Sequence, residues 1–158
     1  MVKVKKLVKI AITAAVYTVA TLAIAPLSYG AIQFRLSEVM TLLAFIDPVY
    51  IIGLVLGCAI SNLYSPLGIV DVIVGTSATL ISVYMISKTK NLLISTLWPT
   101  IMNGLIVGAE LFFVLNQPFW LSTIYVALGE FVVVTCIGYP LFKLLLKRED
   151  VIKILKYN

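Results

Sequence analysis

Apolar residues run along this chain in blocks far longer than a strand, broken by short clusters of polar, glycine and proline positions. Blocks of that length predict helices, and a helix of about 20 apolar residues crosses roughly 30 Å of hydrocarbon. The first runs about Leu7 to Ala25 and ends at Pro26. A loop from Leu27 to Phe34 follows, with Ser28, Tyr29 and Gly30 as turn chemistry. Leu36 to Ile46 predicts a second helix, opened by Arg35-Leu36-Ser37-Glu38 and broken by Asp47-Pro48. With about ten residues it reaches only ~15 Å, so it crosses a membrane only if loop residues extend it. Further helices are expected over Val49–Leu63, Ile69–Ile86, Leu92–Leu115 and Leu121–Leu146. The breaks between them are Tyr64-Ser65-Pro66-Leu67-Gly68, Ser87-Lys88-Thr89-Lys90 and Asn116-Gln117-Pro118. Phe119 and Trp120 are placed as interfacial aromatics, and a basic tail runs from Lys147 to Asn158. The pattern predicts an all-α membrane protein, a bundle of six transmembrane helices forming a single integral membrane domain over residues 1–158. There is no low-complexity segment and no clear internal repeat.

Composition strengthens this reading. Of 158 residues, 61% are hydrophobic and 12% charged, about half the charge of a soluble domain. The net charge is +5, and its placement is topological. Lys3, Lys5, Lys6 and Lys9 open the first segment, and Lys88 and Lys90 lie between the fourth and fifth. Lys143, Lys147, Arg148, Lys153 and Lys156 end the chain. With six crossings, these eleven of the twelve Lys and Arg residues fall on one side, which the positive-inside rule makes cytoplasmic. Both termini are then cytoplasmic, and Arg35 is the exception. No basic stripe interleaves with aromatics, so no nucleic-acid partner is expected. The partner is the lipid bilayer.

Histidine is absent, which removes Ser-His nucleophilic chemistry and the HExxH zinc site. Cys58 and Cys136 lie in apolar runs and read as small buried hydrophobes, with neither a disulfide framework nor metal-ligand spacing. No cofactor, metal or enzymatic activity is expected. Ala23-Ile24-Ala25 resembles a signal cleavage site, but the apolar run is long enough to span and further spans follow, so it reads as a retained first helix.

Ionisable residues inside membrane segments are costly and mark function. Glu149 and Asp150 lie in the tail and Asp47 in a cytoplasmic turn, which leaves Glu38, Asp71, Glu110 and Glu130. The topology draws all four to the outer half of the bundle, with Arg35, Asn62 and Asn103. Their formal sum with Arg35 is −3, unfavourable in a low dielectric unless protons, water or a donor-rich ligand intervene. This predicts a ligand rich in N–H groups, entering from outside. Structural alternatives exist. Arg35 and Glu38 are spaced for an i,i+3 pair. Asp71 suits a helix start. Asn62 and Asn103 suit interhelical hydrogen bonding. Small residues four apart (Ala11 and Ala15, Gly53 and Gly57, Gly104 and Gly108) allow helices to approach closely. The glycine pairs read as internal packing. The Ala11/Ala15 face, with Ala14 beside it, reads as packing or as an outward docking stripe.

The block Ser28-Tyr29-Gly30-Ala31-Ile32-Gln33-Phe34-Arg35-Leu36-Ser37-Glu38, then Gly53-Leu54-Val55-Leu56-Gly57-Cys58 with Ser61-Asn62-Leu63, then Asp71, resembles the QueT family of queuosine-precursor transporters. These are substrate-binding S components of energy-coupling factor (ECF) transporters. The resemblance covers nearly the whole chain, although the fifth and sixth helices match mainly in length and polarity. It implies a multi-pass protein of a bacterial cell membrane that captures a micronutrient at the outer face. It also implies partners, a transmembrane scaffold subunit and two ATPase subunits; this chain has no GxxxxGK[ST] motif of its own. Ala11 and Ala15 correspond to the family's small-residue docking pattern. The implied cargo is a 7-deazaguanine or queuine, whose guanine-like edge offers a ring N–H and an exocyclic amine. A carboxylate accepts both, and an amide or Arg donates to the carbonyl oxygen. Glu38, Asp71, Glu110 and Glu130 are then the expected acceptors. Arg35, Asn62 and Asn103 would orient the base or the acids, and Tyr64 and Trp120 would stack or cover. Two other classes fit the residues alone: an autonomous proton-coupled transporter, with the carboxylates as proton carriers, and an intramembrane lipid enzyme, disfavoured by the missing histidine and metal motif.

Overall fold

A computed structural model describes residues 2–30 and 32–156, with side chains from residue 4 onward. Ala31 of the motif block, the Lys3 side chain, and Tyr157 and Asn158 of the tail lie outside the described residues. The chain forms α1 (Val2–Ala23) and a short α2 (Ala25–Ser28), then a 3-10 segment (Leu36–Leu42) that continues into α3 (Leu43–Ile46). Next come α4 (Tyr50–Asn62), α5 (Ile69–Lys88) and α6 (Leu92–Leu115). Helix α7 (Phe119–Glu130) passes through a π-helical stretch (Phe131–Gly138) into α8 (Tyr139–Leu145), and α9 (Glu149–Leu155) follows. Four helical segments are long and apolar enough to span: Val4–Ala23, Ile69–Lys88, Leu92–Leu115 and Phe119–Leu145. The protein is thus an all-α membrane protein with several apolar helices.

Four expectations about the helices change. Pro26 does not end the first helix by itself; the break falls at Ile24, and Pro26 sits in the first turn of α2, where a missing N–H costs nothing. The second predicted helix is mostly 3-10, whose rise of about 2.0 Å per residue stretches Leu36–Ile46 to roughly 20 Å. The last long helix starts at Phe119 and contains a π-helical stretch just before Pro140, which has no N–H to donate. The basic tail is not featureless. It folds into α9, whose last carbonyls accept from Lys9 Nζ: Ile154 at 2.7 Å, Leu155 at 2.7 Å and Lys156 at 3.0 Å. A cation at a helix C-terminus satisfies orphan carbonyls and the helix dipole together. Tyr50 Oη also donates to the Leu155 carbonyl, at 2.8 Å, so Lys9 of α1, the start of α4 and the end of α9 lie at one end of the bundle.

Other breaks follow from local chemistry. Asn91 caps α6 by accepting from the N–H groups of Leu93 and Ile94. Asn116 ends it in the left-handed region at φ 54°. The glycine pairs serve packing. A Cβ on Gly53 would lie 2.7 Å from the Ile10 carbonyl oxygen, and one on Gly57 2.8 Å from that of Ala14. These glycines therefore seat α4 against the backbone of α1. Gly108 likewise admits Thr123 of α7, with the Thr123 Cα 2.9 Å from where its Cβ would stand.

The bundle is inverted relative to a soluble protein. Large apolar side chains such as Leu7, Ile73, Phe113 and Leu144 are exposed, whereas Thr21, Ser37, Thr41, Ser61 and Ser82 are buried. Lipid accepts the former; of the latter, Thr21 and Ser37 bond to each other across two segments, while Thr41, Ser61 and Ser82 donate to carbonyls of their own segments. Cys58 is buried, but Cys136 is exposed on the outer face of the π-helical stretch, contrary to the sequence expectation.

Candidate functional site

The polar residues singled out in the sequence converge inside the bundle. Arg35, Glu38, Asn62, Asp71, Asn103, Glu110 and Glu130 are all buried, none more than 5% exposed. They come from five different segments, so no single helix builds the site.

Arg35 stands at the hub. Its backbone is extended at the entrance to the 3-10 segment, so it does not share a helix face with Glu38, and the i,i+3 pair does not form. Instead Nε donates to the Ser28 carbonyl at 3.2 Å, Nη1 to Asn62 Oδ1 at 3.0 Å and Nη2 to Asp71 Oδ2 at 3.3 Å. Asn62 is held in turn by donating Nδ2 to the Asp71 carbonyl at 3.0 Å. Asp71 lies in the first turn of α5, but its carboxylate answers Arg35 rather than capping the helix. The guanidinium also lies 5.3 Å from the centre of the Tyr29 ring, a cation–π geometry. Tyr29 is anchored by donating Oη to the Ser61 carbonyl at 2.6 Å.

A second group lies with it. Tyr17, wholly buried on α1, donates Oη to Glu38 Oε1. Asn103 of α6 donates Nδ2 to Glu130 Oε1 at 2.6 Å. Glu130 is within electrostatic reach of Glu38 and Arg35, and Glu110 of Asp71 and Arg35, so the two groups share one field. The loop before Arg35 presses against α7 beside Glu130, where a Cβ on Gly129 would collide with the Ile32 carbonyl oxygen.

The chemistry of the site lies in what is left over. Glu38 Oε2, Asp71 Oδ1, Glu130 Oε2, Asn103 Oδ1 and both oxygens of Glu110 are buried acceptors without a hydrogen-bond partner among the described residues. Buried polar atoms are normally paired, and each exception calls for an explanation. Six such acceptors, drawn from four segments, make a site that wants donors. A cavity of about 250 Å³ sits at the same end of the bundle, lined by Tyr29, Gly30, Gln33, Ser65, Leu111 and Gln117 among others. Tyr29, whose ring lies against Arg35, links it to the site, and none of the four carboxylates lines it. A larger cavity of about 490 Å³ lies on the outer face of α1 at Val4, Lys5, Val8 and Lys9, away from the acids. Its near-total apolar character suits lipid rather than a polar ligand.

Tyr64 and Trp120 do not join the cluster; they are 67% and 71% exposed. Ala11 and Ala15 are exposed on α1, while Ala14 turns inward against Gly57. Sequence reasoning missed Tyr17 and Tyr29. Tyr17 carries no signal in an apolar helix except that a phenol is costly to bury alone. Tyr29 lay in the motif block, where it read as turn chemistry.

The model of the family described as QueT transporter matches residues 7–147. The queuosine precursor transporter QueT of Lactococcus lactis subsp. cremoris (strain MG1363) is 36% identical over 144 residues, covering 79% of this chain and 83% of that protein. No solved structure matches the chain. A family match over most of its length, a relative of that identity, and an inverted bundle around buried carboxylates together make this chain a member of the QueT transporter family.

Proposed function

We propose that this chain is the substrate-binding S component of an ECF-type importer, which captures queuosine precursors at the outer face of a bacterial cell membrane for ATP-driven uptake. The observation that carries the reading is the set of buried acceptors of Glu38, Glu110, Glu130 and Asn103 around Arg35. A 7-deazaguanine or queuine supplies what they lack. Its ring N–H and exocyclic amine donate to carboxylates, and its carbonyl accepts from the Arg35 guanidinium. Three of the five Arg35 N–H groups are engaged by Ser28, Asn62 and Asp71, which leaves two for the ligand.

Residues 1–158 act as one membrane unit with six crossings and both termini cytoplasmic. The meeting of Lys9 with α9 at one end of the bundle supports an even number of crossings. The short apolar segments Leu36–Ile46 and Tyr50–Asn62 are our candidates for the other two crossings. Arg35 and Asn62 lie at the ligand end, and Tyr50 lies at the chain-terminal end beside Leu155. The partners are a transmembrane scaffold and two ATPase subunits. Ala11 and Ala15, exposed beside a shallow groove at Ala15, Val16, Val19 and Ala20, form the docking stripe.

The test is calorimetric titration of the purified protein, without ATPase subunits, using cyano- and aminomethyl-deazaguanine, queuine and guanine. Submicromolar binding of a deazaguanine is expected. Well-folded protein that binds none of them would refute the substrate assignment. Uptake by vesicles holding this chain alone, abolished by an uncoupler, would replace the ATP-driven mechanism with a proton-coupled one.

A further inference from the structure

The four carboxylates of the site are not equivalent, and the difference assigns them. Glu38 has one oxygen held by Tyr17, Glu130 one held by Asn103, and Asp71 one held by Arg35. Each keeps a single uncommitted oxygen. The remaining Asp71 oxygen, Oδ1, packs against Gly75, close enough to collide with a Cβ there, and Asn62 Nδ2 lies 2.9 Å from the same point. Asp71 is therefore packed as the counterion of Arg35. Glu110 alone has both oxygens buried and free of protein donors among the described residues, in a side chain only 4% exposed. Two parallel N–H donors on one planar edge need both oxygens of one carboxylate.

We propose that Glu110 is the specificity-determining acceptor, taking the ring N–H and the exocyclic amine of the heterocycle as a bidentate pair. Glu38 and Glu130 contribute one acceptor each to other donors of the ligand, and Asp71 touches Arg35 and not the ligand. This rests on the proposed deazaguanine-type cargo.

The experiment compares 7-deazaguanine with 7-deazahypoxanthine, which has the same ring N–H and carbonyl but no exocyclic amine. Both are titrated into the intact protein and into its Glu110→Gln, Glu38→Gln and Glu130→Gln variants. The wild type is expected to prefer the amine-bearing ligand by about 10- to 150-fold, the value of one hydrogen bond to a charged acceptor. Glu110→Gln should shrink that preference by roughly tenfold or more, because its amide offers one acceptor and one donor along that edge. Glu38→Gln and Glu130→Gln should weaken both ligands and keep the preference. Because the readout is a ratio within one sample, partial misfolding cannot imitate it. Glu110→Ala, with both acceptors removed, carries the same expectation if the Gln variant fails to fold. A preference unchanged in the Glu110 variants, or lost instead in Glu38→Gln or Glu130→Gln, would overturn the assignment while leaving the cargo in place. A wild type that binds neither ligand would overturn the cargo and the assignment with it.

Discussion

Tyr17→Phe is the sharpest test of how the site is held. The variant removes one oxygen and keeps the ring, so packing against α4 is preserved while the bond to Glu38 is lost. Neutral side-chain hydrogen bonds within membranes are worth only about 0.6 kcal/mol on average, because the unfolded chain in lipid also finds partners. A bond to an ionised acceptor is worth about 1.5–3 kcal/mol. Glu38 is 1% exposed and Tyr17 wholly buried, so water cannot replace the lost donor, and leaving a buried group unsatisfied costs about 1–3 kcal/mol, more for a charged one. We therefore expect a coupling of about 1.5–3 kcal/mol in a double-mutant cycle of Tyr17→Phe with Glu38→Leu. The assay is reversible SDS-induced unfolding in mixed micelles. A coupling at or below about 0.5 kcal/mol, the level at which independent sites simply add, would refute this reasoning.

Three further outcomes follow from the packing. Arg35→Lys replaces a planar fork that engages Ser28, Asn62 and Asp71 with a single ammonium; it should destabilise the protein by roughly 2–4 kcal/mol, approaching the loss of a buried pair, as read by the same unfolding assay. Gly57→Leu would push a side chain into the Ala14 carbonyl and the Tyr17 Cβ; it should cost about 1–3 kcal/mol or more by separating α1 from α4, visible as a lower thermal midpoint. Lys9→Met removes the donor shared by three carbonyls of α9; it should weaken that helix by about 1–2 kcal/mol and speed amide exchange over Glu149–Leu155 roughly 5- to 30-fold, with the deep helices unchanged.

Much of the fold was legible because lipid imposes a simple rule: a spanning helix must be long, apolar and internally hydrogen-bonded. The bounds of α6 follow from Asn91 and Asn116, both polar breaks with capping chemistry. The second segment was less legible. Its 3-10 winding leaves no mark in the hydrophobic pattern, since apolar content does not report rise per residue. The helix in the tail was hidden for a different reason. Its stability comes from Lys9 and Tyr50, which lie more than a hundred residues away in sequence.

The site divides in the same way. The identities of its members were readable one by one, because a carboxylate or guanidinium in an apolar run is too costly to be incidental. Their pairing was not. Spacing suggested Arg35 with Glu38, yet the extended backbone at Arg35 turns the guanidinium to Asp71 and Asn62, and Glu38 is taken by Tyr17 of α1. The sequence by itself determined that this protein lives in a membrane and carries four costly acids in its interior, because transfer free energy depends on composition and run length. Only the tertiary structure decided which oxygens are spent on Tyr17, Asn103 and Arg35 and which remain free, because hydrogen bonds are directional and their partners arrive from other helices.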